Sequence, residues 1–133
     1  MSLLDSIEKH EGFRSKPYPD PIHGWDVPTF GHGLTYITED ESRQIVKNRI
    51  TEIEASLKIK VAGYFNLPHQ ARNVLIEMAY QMGVPGLMKF KNTLEFIEKE
   101  DFQSAADEML DSVWAKQTPK RAQDLAEIMR HLA

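Results

Sequence analysis

Apolar residues recur at helical spacing through most of the chain. Leu3, Leu4 and Ile7 form one stripe behind Ser2, and with Asp5 three residues further on Ser2 reads as the N-cap of a helix that Gly12 stops. Thr38 and Glu41 make a capping box, and Val46, Ile50, Ile53 and Leu57 follow at steps of four, three and four. That spacing predicts one helix of about five turns, ending near Lys60. A second strong helix is predicted from near Pro68 to Gly83. There Ala71, Val74, Leu75, Ile76, Met78, Ala79 and Met82 cover most of the circumference, which makes it the centre of the core. Shorter helices are predicted at about Lys91 to Lys99 and at about Phe102 to Trp114. A last one opens at Thr118-Pro119, threonine as N-cap and proline at the first helical position, and carries Ala122, Leu125 and Met129.

Between Pro17 and Gly33 this pattern breaks. Four of the seven prolines and three of the seven glycines fall there, which excludes helix and predicts turns with short strands. Trp25 to Tyr36 reads as a small hairpin or meander. The chain is therefore expected to be α+β, mainly α, and a single domain over 1–133. A small turn and β lobe covers about 13–37, a joining helix about 38–60, and a helical lobe about 61–133, with the helix 1–11 packed on the helical lobe. A cleft between the lobes is the natural binding site.

With 133 residues, 41% hydrophobic and 27% charged, the chain has material for about one buried core. The absence of cysteine excludes disulfides, zinc-thiolate sites and thiol nucleophiles, so any nucleophile must be oxygen or imidazole. Sixteen basic residues stand against twenty acidic ones, a formal charge of −4 with no long run of either sign, which argues against a nucleic-acid partner. Met1-Ser2-Leu3-Leu4-Asp5 turns acidic before a signal-like apolar segment can form, and no apolar run is long enough to span a bilayer. Neither a cleaved signal peptide nor stable membrane insertion is expected.

Two carboxylates are the chemical candidates. Glu11 stands at i+7 from Leu4 and i+4 from Ile7, so it shares the apolar face of the first helix; a carboxyl half-withdrawn from water keeps its proton and is prepared as a general acid. The alternative is a helix-terminal glutamate paired with a basic residue for structure. Asp20, in Tyr18-Pro19-Asp20-Pro21, is expected in an extended, solvated loop and ionised; the alternative is a simple turn former. Two carboxyls in unlike settings are what a glycosidase uses to protonate a leaving group while activating water. The histidines, His10, His23, His32, His69 and His131, show no metal-ligand spacing, so no metal is expected, and His32 between Gly31 and Gly33 reads as a hydrogen-bonded hairpin residue. No Gly-x-Ser-x-Gly elbow or phosphate loop is present. Trp25, Tyr80 and Trp114 are candidates for stacking on sugar rings or for core packing.

Several blocks taken in order carry a family resemblance. Glu11-Gly12-Phe13-Arg14, Tyr18-Pro19-Asp20, Thr29-Phe30-Gly31-His32-Gly33 and Ile37-Thr38-Glu39-Asp40-Glu41 come first, then Tyr80-Gln81-Met82-Gly83, Phe90-Lys91-Asn92-Thr93-Leu94 and Trp114-Ala115-Lys116-Gln117-Thr118-Pro119-Lys120-Arg121-Ala122. Together they resemble the phage lysozymes of glycoside hydrolase family 24 over nearly the whole chain. The resemblance implies a two-lobed lysozyme-like fold and a muramidase cleaving the β-1,4 bond between N-acetylmuramic acid and N-acetylglucosamine in peptidoglycan. It implies Glu11 as general acid, with Asp20 and Thr29 holding the attacking water on the opposite sugar face. That arrangement gives inversion, with carboxyl groups about 6.5–9.5 Å apart.

The same matching implies saccharide contacts from Leu34, Tyr80, Gln81 and Thr93, and supporting roles for His32 and for Arg121, the latter pairing with the catalytic glutamate. No cofactor and no metal are implied. The partner is the peptidoglycan glycan strand, with synthesis in a host's cytoplasm, passage to the wall through a separate holin, and a monomeric state. Four departures from the family pattern stand out. Asp26 is a second acid between Asp20 and Thr29, the segment after Gly33 is short, Glu108 occupies an asparagine position, and the charge is acidic where most lysozymes are basic. Two rival readings follow: a lytic transglycosylase, which needs only the acid, and a non-catalytic wall-binding or virion module.

Overall fold

A computed structural model describes residues 2–132. Along the chain it holds eight α-helices, one 3₁₀ turn and one two-stranded sheet among the described residues, so the architecture is mainly α with a small β element. The chain divides into two compact units, one up to Ile45 and one from Val46 onward. That boundary lies inside the longest helix, α2 (Glu39–Lys60), and groups the first helix with the hairpin.

In the first unit, α1 (Leu3–Glu11) begins as the residue pattern predicts: the Asp5 amide donates to Ser2 Oγ at 3.0 Å and the Ser2 amide donates to Asp5 Oδ2 at 3.3 Å. Gly12, at φ +67°, ends it. Its apolar stripe is not buried. Leu3, Leu4 and Ile7 are 77%, 64% and 47% exposed, and Glu11 is exposed with them, which corrects the expectation of a half-withdrawn carboxyl. The spacing predicts a face correctly, but burial needs an apolar partner. The first unit supplies none, since Thr29 is its one buried residue among those described.

The hairpin also lies earlier than predicted. Strand β1 is Arg14–Asp20 and β2 is Gly24–Gly31, antiparallel, with Arg14 opposite Gly31, Tyr18 opposite Thr29 and Asp20 opposite Gly24. Pro17 and Pro19 disguise β1 as loop. In a two-stranded sheet each strand is an edge, so a proline whose missing N–H would face outward costs no ladder bond. Helix α2 opens on the predicted box, with the Glu41 amide donating to Thr38 Oγ1 at 3.1 Å and the Thr38 amide to Glu41 Oε1 at 3.0 Å. Glu39, Asp40 and Glu41 in its first turn and Lys58 and Lys60 in its last complement the helix dipole.

The second unit carries the core. Helix α3 (His69–Met82) buries Ala71, Val74, Leu75, Ile76, Met78 and Ala79, as predicted for a central helix. Around it lie α4 (Val84–Met88), α5 (Lys91–Glu98), α6 (Phe102–Leu110), α7 (Val113–Gln117) and α8 (Pro119–Arg130). Ala105 and Ala106 of α6 and Ala122 and Ala126 of α8 are buried, and such small side chains let helix axes approach closely, while Met109 and Met129 fill the remaining space. The C-terminal part of α2 is tied in through Tyr64, whose hydroxyl donates to Glu54 Oε2 at 2.7 Å; burial first, and this bond second, hold the phenol proton well above its ordinary range.

Two helix boundaries differ from the sequence expectation. The helix predicted over Phe102 to Trp114 is broken at Asp111-Ser112, because the Ser112 hydroxyl donates to Met109 O at 2.7 Å and accepts from the Ala115 amide at 3.1 Å. It closes one helix and opens the next. Thr118 precedes α8 but does not cap it; its hydroxyl donates back to Trp114 O at 3.0 Å. Replacing Ser112→Ala is expected to lower unfolding stability by about 1–2 kcal/mol, the usual size of a lost N-cap. Urea unfolding measures this, and an unchanged midpoint would mean that the hydroxyl does not hold the α6–α7 junction.

Candidate active site

Glu11 is the last residue of α1, and its side chain reaches the loop between β2 and α2. That loop is short and closed: the Phe30 amide donates to Leu34 O and the Leu34 amide to Phe30 O, both at 2.8 Å, around Gly31-His32-Gly33. The Glu11 carboxylate lies against Gly33. The His32 ring is half-buried and packs on Phe13, with centroids 5.3 Å apart and planes tilted by 50°.

Asp20 closes β1. Its Oδ1 accepts the Ile22 and His23 amides, each at 2.8 Å, so the side chain shapes the turn into β2. The His23 amide first and the Ile22 amide second hold this carboxyl below the ordinary aspartate value of 3.8. Asp20 is thus both a turn former and an ionised carboxylate, which joins the two alternatives that the sequence leaves open. Thr29 is buried on β2 opposite Tyr18, two residues short of Asp20, and its hydroxyl donates to Val27 O at 3.4 Å. Asp26 is exposed on β2. Among the described residues, no hydrogen bond joins Glu11, Asp20 and Thr29 to one another.

The remaining residues lie in the second unit, except Leu34, which is exposed at the end of the Gly31–Gly33 loop. Arg121 on α8 donates from Nε to Glu77 Oε2 on α3 at 2.9 Å. Sequence reasoning missed Glu77, since a pair 44 residues apart on two helices leaves no periodic trace. Tyr80, Glu77 and Arg121 line a concavity of about 570 Å³ with Val46, Ile50 and Ile76. Thr93 is almost wholly buried and lines another of about 410 Å³ with Phe90, Glu108 and Trp114. Gln81 is held at both ends of its amide, accepting from Trp114 Nε1 at 2.9 Å and donating to Thr118 Oγ1 at 3.4 Å. Trp114 is a core residue, buried edge-on against Phe90, while Trp25 is exposed on the hairpin. No helix among the described residues is long and apolar enough to cross a membrane.

The phage lysozyme family matches residues 8–130, and the chain belongs to that family. It is 31% identical to a protein named probable T4-type lysozyme 1 of Dictyostelium discoideum, over 70% of this chain and 56% of that protein. It is 38% identical to probable T4-type lysozyme 2 of the same organism, over 55% and 42%. A third relative is the pre-baseplate central spike protein Gp5 of Enterobacteria phage T4, 29% identical over 97% of this chain and 28% of that protein. The chain thus spans about half the length, or less, of these curated relatives.

The Asp20 turn yields a pH prediction. A folded-state pKa lowered below the ordinary value means that the two turn bonds contribute fully above that value and are lost as pH falls through the lowered one. The Ile22 and His23 amide resonances are therefore expected to titrate together with a midpoint below 3.8 in an NMR pH series. A midpoint at or above that value would remove these bonds from the account.

Proposed function

We propose that the chain is a muramidase that hydrolyses the β-1,4 bond between N-acetylmuramic acid and N-acetylglucosamine in peptidoglycan, with inversion at the anomeric carbon. The observation that carries this reading is the unlike setting of two carboxylates in one unit. Glu11 is exposed at a helix end with its carboxylate against Gly33, while Asp20 is kept ionised by hairpin amides with Thr29 on the paired strand. Family membership over a span that includes all three residues supports it.

In this reading the protonated Glu11 donates its proton to the glycosidic oxygen as the bond to the anomeric carbon breaks. A water molecule held by Asp20 and the Thr29 hydroxyl attacks from the opposite face and passes its proton to the Asp20 carboxylate. Asp20 suits the second task because Oδ1 is occupied by the turn amides, which leaves Oδ2 to accept from water. Asp26 is exposed on β2 and, among the described residues, no hydrogen bond orients its carboxylate, which makes it the less suited acid. His32 supports the Glu11 loop, Leu34, Tyr80, Gln81 and Thr93 contact saccharide, and Arg121, whose Nε donates to Glu77, keeps its other guanidinium N–H groups for pairing with the catalytic glutamate. The fixed amide of Gln81 makes its share of that contact a rigid one. Lysis of a phage host, delivery to the wall by a holin and a monomeric state belong to the same proposal.

A second reading is a non-catalytic wall-binding or virion module, favoured by the match of nearly the whole chain to a fraction of a phage spike protein. The transglycosylase reading is the weaker one, because it leaves the ionised Asp20 and Thr29 without a task.

Replacing Glu11→Gln is expected to cut the clearing rate of outer-membrane-permeabilised bacteria by about 10²–10⁴-fold, the range of a lost general acid. Clearing at the wild-type rate would remove Glu11 from its role. Mass spectrometry of the digest is expected to show reducing ends. Dominant 1,6-anhydro products would install the transglycosylase instead, and sugar binding without any product would favour the silent module.

A further inference from the structure

We propose that Gly33 is a positioning residue for Glu11: the missing side chain at Gly33 is the seat in which the Glu11 carboxylate is held. The backbone at Gly33 has φ +73°, in the left-handed region, and the face it presents is occupied by Glu11. A methyl group there would fall 2.7 Å from Glu11 Cδ and 3.1 Å from Cγ, and would overlap Oε2. The loop that forms the seat is closed at its base and touches the segment after α1 at a second point. The paired amides of Phe30 and Leu34 close its base, and the His32 ring grips Phe13, two residues beyond Glu11. The segment 11–13 and the loop 31–33 are thus joined once through a carboxylate and once through a ring contact.

The consequence of filling the seat falls on placement rather than on stability. Glu11 is exposed and its carboxylate is the far end of a flexible side chain, so an added methyl turns it away at little cost to the fold. What remains is backbone strain, which any glycine of similar φ would suffer. Gly63, at φ +71° and with open space around it, supplies the matched comparison, as it lies between α2 and the 3₁₀ turn and takes no part in the site.

This inference rests on the proton-donor reading of Glu11, and its test separates the two. In the full chain, Gly33→Ala and Gly63→Ala are expected to lower the melting temperature similarly. Gly33→Ala alone is expected to lower kcat on peptidoglycan by about 10²-fold with KM within about twofold, as for a misplaced catalytic group. A kcat for Gly33→Ala within about threefold of wild type overturns the proposal. Two readouts do not depend on activity. Nuclear Overhauser contacts between the Glu11 γ-protons and the Gly33 α-protons are expected in the wild-type chain, and their absence overturns the proposal even if Gly33→Ala fails to fold. The Glu11 Cδ chemical shift in a selectively labelled chain is expected to move in Gly33→Ala and stay fixed in Gly63→Ala. A wild-type chain that leaves peptidoglycan intact but shows those contacts and that shift keeps Gly33 as the seat of Glu11 and removes only the muramidase assignment.

Discussion

The Asp20 carboxylate accepting two backbone amides is the constraint on which the first unit depends. A segment of some forty residues with one buried side chain among those described cannot be held by apolar burial, and Pro17, Pro19, Pro21 and Pro28 each remove a backbone donor from the hairpin. Beside the β1–β2 ladder and the helical backbone bonds, the unit is held by bonds that side chains make to nearby backbone. Ser2 and Asp5 open α1, Asp20 bends the hairpin, Thr38 and Glu41 open α2. Asp20 and Glu41 share a further property: the backbone amides that shape the turn and open α2 also hold these two carboxyls below their ordinary range, so local structure and chemical state have one cause.

The second unit follows the opposite logic. Its helices are short, several of about two turns, and helices of that length are marginal in water without packing. Stability comes from α3, buried on most sides, and from the close approach that buried alanines allow between α6 and α8. The polar bonds there serve registration more than energy. Gln81 fixes α7 to α3 through Trp114 and reaches Thr118 at the head of α8. The Glu77–Arg121 pair is partly exposed on both sides, which places it among surface ion pairs worth about 0–1 kcal/mol.

Caps and helical spacing made most of the helices legible in the sequence. Ser2, Thr38, Gly12, Gly83 and Pro119 mark real boundaries because a capping bond or a missing N–H is a local property of one or two residues. Properties that need a partner were not legible. The stripe of Leu3, Leu4 and Ile7 predicts a face but not what covers it, and the exposure of Glu11 follows. Pro17 and Pro19 hid β1, since sequence alone does not reveal that the sheet has only two strands. Ser112 looks like one more polar position on a continuing helix, and its choice between solvent, Met109 O and the Ala115 amide is made in three dimensions. Of the candidate site, Glu11 and Asp20 were legible from their places in the residue pattern, and Thr29 only through the family resemblance. The Glu77 partner of Arg121 and the contact of Gly33 with Glu11 were not.

The three residues assigned to chemistry all lie in the unit that lacks a core, and this makes site geometry and global stability separable. Core substitutions in α3, α6 or α8 act on packing that none of the three shares. Substitutions at Asp20, Gly33 or the hairpin prolines act on a few local bonds and on left-handed backbone, with little apolar area at stake. Loops and turns commonly carry function on a scaffold that is stabilised elsewhere. Here the separation runs along the sequence itself, near Ile45. The acidic balance fits the same division. In the muramidase proposal, a net charge of −4 supplies no long-range attraction to an anionic glycan and leaves recognition to short-range hydrogen bonds and ring contacts, which demand fixed geometry. A unit built from side chain-to-backbone bonds provides fixed geometry without a core.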